Sequence, residues 1–378
     1  MTDVGPVRPL RIGVCAPYDL GRTGGVNSHI RAQARALRQL GHHVDVFGAS
    51  SAPLCDDELT LGRAVSLVIG GTETGFCLDP RSWRRVADLF RTRRFDVLHM
   101  HEPLMPLVPW FVLQQSAVPV VATFHTHREH GHRWYRRYGR LLAPLMRRIR
   151  VRLAVSDAAR RTIAHHFPGD YEIVPNGVDV NRFRTATVRP VDMPENGRHV
   201  LFVGRLEPRK GVDRLIQAMA MVRLSVTDAR LVIVGEGPDR PALAAAAHDA
   251  GVNVTFAGRV SDDDLPAYYQ GADVVCSPAL GGESFGIVLL EAMAAERPII
   301  ATRIEGYAEL IAEAGCARLV GIDDSEALAH EIASLLGDPG LRRTLGARGA
   351  VLVRDYDWST IAARLESIYM NLTLRPDQ

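Results

Sequence analysis

Lysine is almost absent from this chain: of 45 basic residues only Lys210 is a lysine, and the rest are arginine. A single ammonium kept among guanidinium groups marks a place where a compact point charge suits a phosphate better than a planar fork, although one leftover lysine can also fall anywhere. Cysteine is scarce as well. The five cysteines, Cys15, Cys55, Cys77, Cys276 and Cys316, are odd in number and scattered with no CxxC, which excludes a disulfide framework and a zinc ribbon. Long apolar runs are missing. The most apolar stretch, 104–124, is broken by Pro106, Pro109, Gln114, Gln115 and Pro119 and falls short of the ~18 uninterrupted residues of a membrane span. The opening residues MTDVGPVRPLRIGV carry no small-residue cleavage site, so they lead into a first strand and a cytoplasmic location is expected. There is no internal repeat or low-complexity tract, and 47% hydrophobic with 23% charged residues is the composition of a folded globular chain.

At 378 residues the chain is long enough for two domains of ordinary size, hence for a cleft between two cores. Its net charge of +2 conceals an asymmetry: residues 1–190 hold 27 Arg against 16 Asp and Glu, whereas residues 191–378 hold 18 Lys and Arg against 27. A basic first half suggests that it faces something anionic, unless its arginines are simply solvated. Short β-branched runs alternate with helical patterns, the signature of parallel α/β sheets. Strands are expected at 11–16, 44–47, 66–69, 96–101, 118–124, 153–155 and 172–174, with helices at 27–40, 81–93 and 134–148. A polar, proline-containing stretch at 183–198 reads as a linker. A second series follows, with strands at 199–203, 230–234, 253–257, 274–277 and 299–301 and helices at 212–222, 238–249 and 287–295. The expected division is a first domain over 1–185, a second over 186–357, and a last helix within 358–378 that crosses back. Open α/β sheets bind ligands at their strand carboxyl ends, so the two sheets are expected to face each other across the cleft.

The richest motif is Gly281-Gly282-Glu283-Ser284-Phe285-Gly286-Ile287-Val288-Leu289-Leu290-Glu291. A glycine turn opens an apolar helix, whose first backbone N–H groups are free to receive a diphosphate. Eight residues of helix span ~12 Å, which sets Glu283 beside sugar hydroxyls and Glu291 beside ribose hydroxyls. The plainer alternatives are a helix N-terminal charge and a solvent-facing glutamate. Gly204-Arg205-Leu206-Glu207-Pro208-Arg209-Lys210-Gly211 follows the strand that opens the second domain. There Arg205 and Lys210 are placed to neutralise the charge on a departing diphosphate.

The first loop, Pro17 to Val26, lacks GxGxxG, so nicotinamide binding is a poor fit, but Gly25 lets backbone approach a ligand. Two strand ends carry histidines, His99-Met100-His101 and His125-Thr126-His127. Neither has zinc-site spacing, and His125 is favoured as a hydrogen-bonding residue beside the reacting sugar, with His99 and His101 read as structural. The Asp355-Tyr356-Asp357 match to a metal-binding DxD is incidental. Two segments, 81–91 and 133–140, mix arginines with aromatics at helical spacing and suit an anionic bilayer; no nucleic-acid fold signature appears.

The motifs PYDLGRTGGVNSH, HEPLMP, ATFHTH, VPNGVDV, GRLEPRKG and GGESFGIVLLEAMAA together resemble family 4 of the glycosyltransferases over nearly the whole chain. Within it they resemble the phosphatidylinositol mannosyltransferases of actinobacteria. The resemblance implies a GT-B fold of two Rossmann-like α/β domains, retention at the anomeric carbon and no essential metal or cofactor. It implies donor binding by Gly25, Gly204, Arg205, Lys210, the 283–288 segment (Glu283, Ser284, Phe285, Gly286, Ile287, Val288) and Glu291. His125 then lies near the donor sugar, and Tyr18, Asp19, Asn27 and Thr126 lie near the acceptor. The expected reaction moves mannose from GDP-mannose to phosphatidylinositol at the inner membrane face. The alternatives are a UDP-sugar transferase acting on another lipid or a soluble acceptor, and a non-catalytic nucleotide-sugar sensor. Asn27 stands where those mannosyltransferases usually carry Gln, and HREHGHRWYRRYGR differs from their segment; both departures lie on the acceptor side. Glu296 replaces the glycine usual at its helix end, where left-handed backbone is common.

Overall fold

The computed structural model describes residues 8–22, 24–54, 57–69, 72–128, 133–185, 189–194, 196–312 and 314–374. It divides into two compact units, Met1–Gly177 with Trp358–Gln378, and Val178–Asp357.

In the first unit β1 (Arg11–Cys15), α1 (Gly25–Gln39), β2 (His43–Ser50), β3 (Glu58–Ile69), β4 (Thr72–Cys77), α2 (Ser82–Thr92) and β5 (Val97–His101) follow in order. Then come α3 (Val108–Gln115), β6 (Val120–Phe124), α4 (Arg133–Met146), β7 (Val151–Ala154), α5 (Asp157–Ala164) and β8 (Glu172–Ile173). The strands form one sheet in the order β4-β3-β2-β1-β5-β6-β7-β8. All neighbours are parallel except β3 and β4, which pair antiparallel from Ala64↔Cys77 to Ile69↔Thr72. That hairpin is not anticipated: β3 is three times the length expected, because its first half, ELTLGR, alternates polar and apolar residues at a sheet edge and lacks the apolar run of a central strand.

The central strands are buried on both faces, as parallel sheets require. Phe47, Leu98, Met100, Phe124 and Leu142 pack on one side. On the other, Ile12, Val14, Ile30, Leu37 and Val121 are closed over by Trp358, Ile361, Leu365 and Tyr369 of the last helix, Trp358–Leu374.

The second unit runs through α6 (Val180–Arg184), β9 (Arg198–Val203), α7 (Val212–Val222), β10 (Ala229–Val234), α8 (Arg240–Asp249), β11 (Val254–Gly258) and α9 (Leu265–Gly271). It continues with β12 (Val274–Ser277), α10 (Ile287–Ala294), β13 (Ile299–Thr302), α11 (Glu305–Ile311), β14 (Ala317–Val320), α12 (Ser325–Gly337) and α13 (Pro339–Leu352); the last helix is α14. Its sheet is parallel throughout, in the order β11-β10-β9-β12-β13-β14. The linker lies elsewhere than expected. Residues 178–185 fall with the second unit, where Phe183 packs edge-on to Tyr269 and Gln270 Nε2 donates to the Phe183 carbonyl at 2.7 Å.

Both sheets share one topological feature that positions chemistry. The first strand of each, β1 or β9, has its successors on opposite sides, so the loop after it opens at a switch point where open α/β sheets bind ligands.

Candidate active site

In the second unit the loop after β9 turns through a 3-10 stretch, Pro208–Lys210, into α7. Gly211 makes this possible. It sits at φ +66°, and a Cβ there would lie 2.1 Å from the Pro278 carbonyl oxygen, so only glycine lets this loop press against the chain leaving β12. The Leu280 N–H donates to the Arg209 carbonyl at 2.8 Å and fastens the two segments.

Opposite charges then interlock. Arg205 Nε meets Glu207 Oε1 at 2.8 Å, Arg209 Nε meets Glu207 Oε2 at 3.1 Å, Arg209 also pairs with Glu283, and Lys210 Nζ meets Glu283 Oε1 at 2.8 Å. Three cations alternate with two carboxylates. The side chain of Glu207 is 6% exposed, whereas those of Arg205 and Arg209 are 48% and 43% exposed, so the acids sit inside and hold guanidinium groups toward solvent. Burial pushes the Glu283 carboxyl up, but Lys210 and Arg209 together outweigh it and keep it below its ordinary 4.5.

Arg205 and Lys210 therefore belong to one network, although Arg205 reaches Glu283 only through Glu207 and Arg209. Arg209 and Glu207 stand inside the motif without any signal that singles them out.

The helical span expected between the two glutamates does not exist. α10 begins only at Ile287, and Gly286 precedes it at φ +94°, where a Cβ would meet the Tyr307 ring at 2.8 Å. Glu283, Ser284 and Phe285 are loop residues, and only Glu291 lies in the helix, with Ile287 and Val288 in its first turn. Glycine at 281, 282 and 286, all at positive φ, breaks the helical register that an unbroken eight-residue spacing presumes. The Tyr307 hydroxyl shares a 2.8 Å hydrogen bond with Ser277 Oγ and fixes the ring under this turn. Glu291 is half-buried, burial raises its carboxyl to about 7, and the Tyr269 hydroxyl donates to Oε2 at 2.6 Å. Glu296 adopts φ +59° past the end of α10, the left-handed geometry expected of that position.

In the first unit the loop after β1 is tied to itself. Asp19 is buried, and its Oδ1 accepts from the N–H groups of Gly21 at 3.0 Å and Ser51 at 2.8 Å. Asn27 Nδ2 donates to the carbonyls of Asp19 at 2.7 Å and Arg22 at 2.9 Å. Both residues, expected near an acceptor, are engaged in shaping this loop. A Cβ at Gly25 would meet nothing within 4 Å, so the protein's own packing makes no demand for glycine there.

His125 follows β6, and His101 ends β5 beside it. Their rings share a hydrogen bond between Nδ1 of His101 and Nε2 of His125 at 2.8 Å, and His29 stands edge-on to both, at ring-centroid distances of 5.3 Å and 5.0 Å. His99 stacks on His101 at 4.7 Å, bonds Thr123 Oγ1 at 2.7 Å through Nε2, and meets the Tyr369 hydroxyl through Nδ1. Burial is the main cause that lowers all four imidazoles, His29 to about 4, His99 to about 3, and His101 and His125 well below 6.5, so the array is uncharged at neutral pH.

Among the described residues His29, His101 and His125 are the one group offering three metal-ligating atoms, within 4.8 Å of one another. The 2.8 Å bond between two of them is shorter than the ~3.3 Å that separates nitrogens at ~2.0 Å from a tetrahedral ion, so His101 and His125 are arranged as a hydrogen-bonded pair, with His29 against them by ring contact alone. Thr126 shares with His125 a partner on β5's end, Glu102, and Tyr18 bonds the Thr126 side chain. Asp357 of the DxD match accepts from the Val180 N–H at 3.2 Å and closes the second unit's ends together.

The basic helices present mixed faces. Trp83 on α2 and Tyr138 and Leu141 on α4 are exposed, while Tyr135 turns into the core. Among the described residues no helix is long and apolar enough to cross a membrane.

Comparison with known proteins matches residues 184–352 to "Glycosyl transferases group 1" and residues 23–182 to "Glycosyltransferase Family 4". The chain is 37% identical over 363 residues to a phosphatidyl-myo-inositol mannosyltransferase of Mycolicibacterium smegmatis, covering 95% of this chain and 93% of that protein. The fold matches sucrose-phosphate synthase from Thermosynechococcus elongatus with TM-score 0.75 at 23% identity, over 97% of this chain and 99% of that one. It also matches Anabaena HepE in complex with UDP and glucose, with TM-score 0.75 at 20% identity, over 96% and 100%.

Proposed function

We propose a function from one premise: this chain belongs to family 4 of the glycosyltransferases, shares their GT-B fold of two Rossmann-like domains, and transfers glycosyl groups. A non-catalytic sensor is thereby set aside. The reaction we infer moves a mannosyl group from GDP-mannose to an inositol hydroxyl of phosphatidylinositol; the mannosyltransferase relative supports both the sugar and the acceptor.

The observation that carries the reading is the alternating network of Arg205, Glu207, Arg209, Glu283 and Lys210 at the second unit's switch point. Carboxylates inside the network orient its cations in advance, so charge growing on the leaving diphosphate meets donors that need no rearrangement. Glu291 in this reading accepts from ribose hydroxyls, and the first turn of α10 receives phosphate oxygens. The bond from the anomeric carbon to the phosphate oxygen breaks, the bond to the acceptor oxygen forms on the same face, and the leaving oxygen takes the acceptor proton. His125, held neutral, donates or accepts a hydrogen bond to a sugar hydroxyl without competing for that proton. No step calls on a metal or other cofactor.

In the same reading the first unit receives the acceptor, with Tyr18 and Thr126 beside it and Asp19 and Asn27 shaping the loop. The exposed arginines and aromatics of α2 and α4 rest on anionic headgroups, placing the protein peripherally on the inner membrane face. A second reading keeps the same donor machinery with a UDP-sugar and another lipid or soluble acceptor; the fold's likeness to a protein solved with UDP and glucose favours it.

Radiolabelled GDP-mannose incubated with purified protein and phosphatidylinositol liposomes tests the two together. Label in lipid is the expected result. Label only in a soluble product, or melting shifted by UDP and not by GDP, supports the second reading instead.

A further inference from the structure

Glu102 lies where β5 ends, is 1% exposed, and takes φ +42°, a left-handed geometry uncommon for a residue with a side chain. Its Oε1 accepts three hydrogen bonds, from the His125 N–H at 2.7 Å, the Thr126 N–H at 2.7 Å and the Thr126 hydroxyl at 2.8 Å. Its Oε2 accepts from the Tyr135 hydroxyl at 3.3 Å, and its own N–H donates to the Thr123 carbonyl at 2.9 Å. One buried acid on the end of one strand thus grips the first two residues beyond the next.

Such an arrangement is costly in two ways. The backbone is strained, and a buried carboxyl whose four donors are all neutral suffers desolvation, which raises its pKa despite them. Cores seldom retain such a group for packing alone, since an apolar residue of similar volume packs without either cost. Its position supplies the reason: β5 is the strand beside β1 at the switch point, and the turn it holds is 125–126.

We propose that Glu102 is a positioning residue for glycosyl transfer. It clamps the His125–Thr126 turn so that both side chains face substrate in a single orientation, and through Tyr135 it anchors that turn to α4. The inference rests on the reading that His125 and Thr126 serve the reaction.

Five variants separate this from a structural role. Glu102→Ala frees the turn, and kcat falls on the order of 100-fold, the cost of a displacement near 1 Å, while KM for the nucleotide sugar stays near wild type. Glu102→Gln keeps a side-chain oxygen at the same reach and restores kcat to within about fivefold of wild type. Glu102→Asp keeps the charge, loses the reach, and behaves as Glu102→Ala. Should the alanine variant unfold in a thermal melt, the glutamine and aspartate pair still decides, because high activity in Asp with low activity in Gln overturns positioning in favour of charge.

The fourth is the paired variant His125→Ala, Thr126→Ala. Adding Glu102→Ala to it lowers kcat little further if Glu102 acts through the turn; an undiminished second loss overturns the inference. Full turnover in the paired variant sinks the reading of His125 and Thr126 and the inference with it, whereas loss there beside full turnover in Glu102→Ala sinks the inference alone.

Discussion

In the function proposed above, the two units prepare for hydroxyl and phosphate chemistry by opposite means. The second unit gathers charge: three cations pair with two carboxylates across two loops, leaving one positive charge in excess and guanidinium edges exposed. The first unit removes charge, since its four clustered imidazoles are buried until they are neutral, and Glu102, the acid beside them, is held by uncharged donors. A diphosphate calls for fixed positive ends, while sugar and inositol hydroxyls call for neutral donors and acceptors that do not compete for protons. The same sheet topology serves both because the switch point only supplies the location.

The contrast is broken most severely at Lys210. Lys210→Ala should lower kcat by about 100- to 1,000-fold, the usual loss when one pre-oriented donor to a developing oxyanion is removed. Full turnover in that variant would refute the charge-gathering account.

Acid sharpens the contrast from the other side. Each buried imidazole binds its proton more weakly folded than unfolded, so stability present above about pH 6.5 is lost as pH falls, at about 1.4 kcal/mol per pH unit for each histidine involved. All four tryptophans, Trp83, Trp110, Trp134 and Trp358, lie in the first unit, so their fluorescence reports its melting alone. Between pH 7.5 and 5.5 the midpoint of that signal should move to lower temperature further than the midpoint of the far-UV circular dichroism signal, to which the helices and strands of both units contribute; equal shifts would contradict the prediction.

Gly286→Ala should cost the second unit about 1–3 kcal/mol, through left-handed strain and collision with Tyr307. Melting followed by circular dichroism checks it, with the tryptophan signal unmoved.

The smallest effect is at Glu291, whose carboxyl ionises near 7. Nucleotide affinity should rise from pH 6 to 8 as the carboxylate becomes available to ribose hydroxyls, and Glu291→Gln should flatten that rise and weaken binding about tenfold at pH 8. Calorimetric titration with GDP at the two pH values measures both.

Much of the fold is legible in the sequence because central parallel strands are continuous apolar runs, as at 200–203, 231–234 and 299–301. The β3–β4 hairpin is not, since an edge needs no such run. The boundary near 178 hides for a related reason: Phe183 makes 180–184 part of the second core, whereas the eye follows the polar stretch after it. At the site, Lys210 and Glu283 stand out by rarity and motif, and they do meet. The spacing from Glu283 to Glu291 misleads, because Gly286 at φ +94° changes a helix into a loop without altering the count of residues. Arg209 and Glu102 are invisible in sequence. One is an arginine among many, the other a glutamate before a proline, and only the packing of neighbouring strand ends gives either a partner.

The central claim is that the 204–211 loop and the 281–286 turn together receive a diphosphate. Dissociation constants for GDP and GMP, measured by calorimetry on the wild type and on Lys210→Ala, test it without reference to turnover. GDP should bind the wild type more tightly than GMP, and the variant should lose most of that preference; an equal preference in both proteins would contradict the claim.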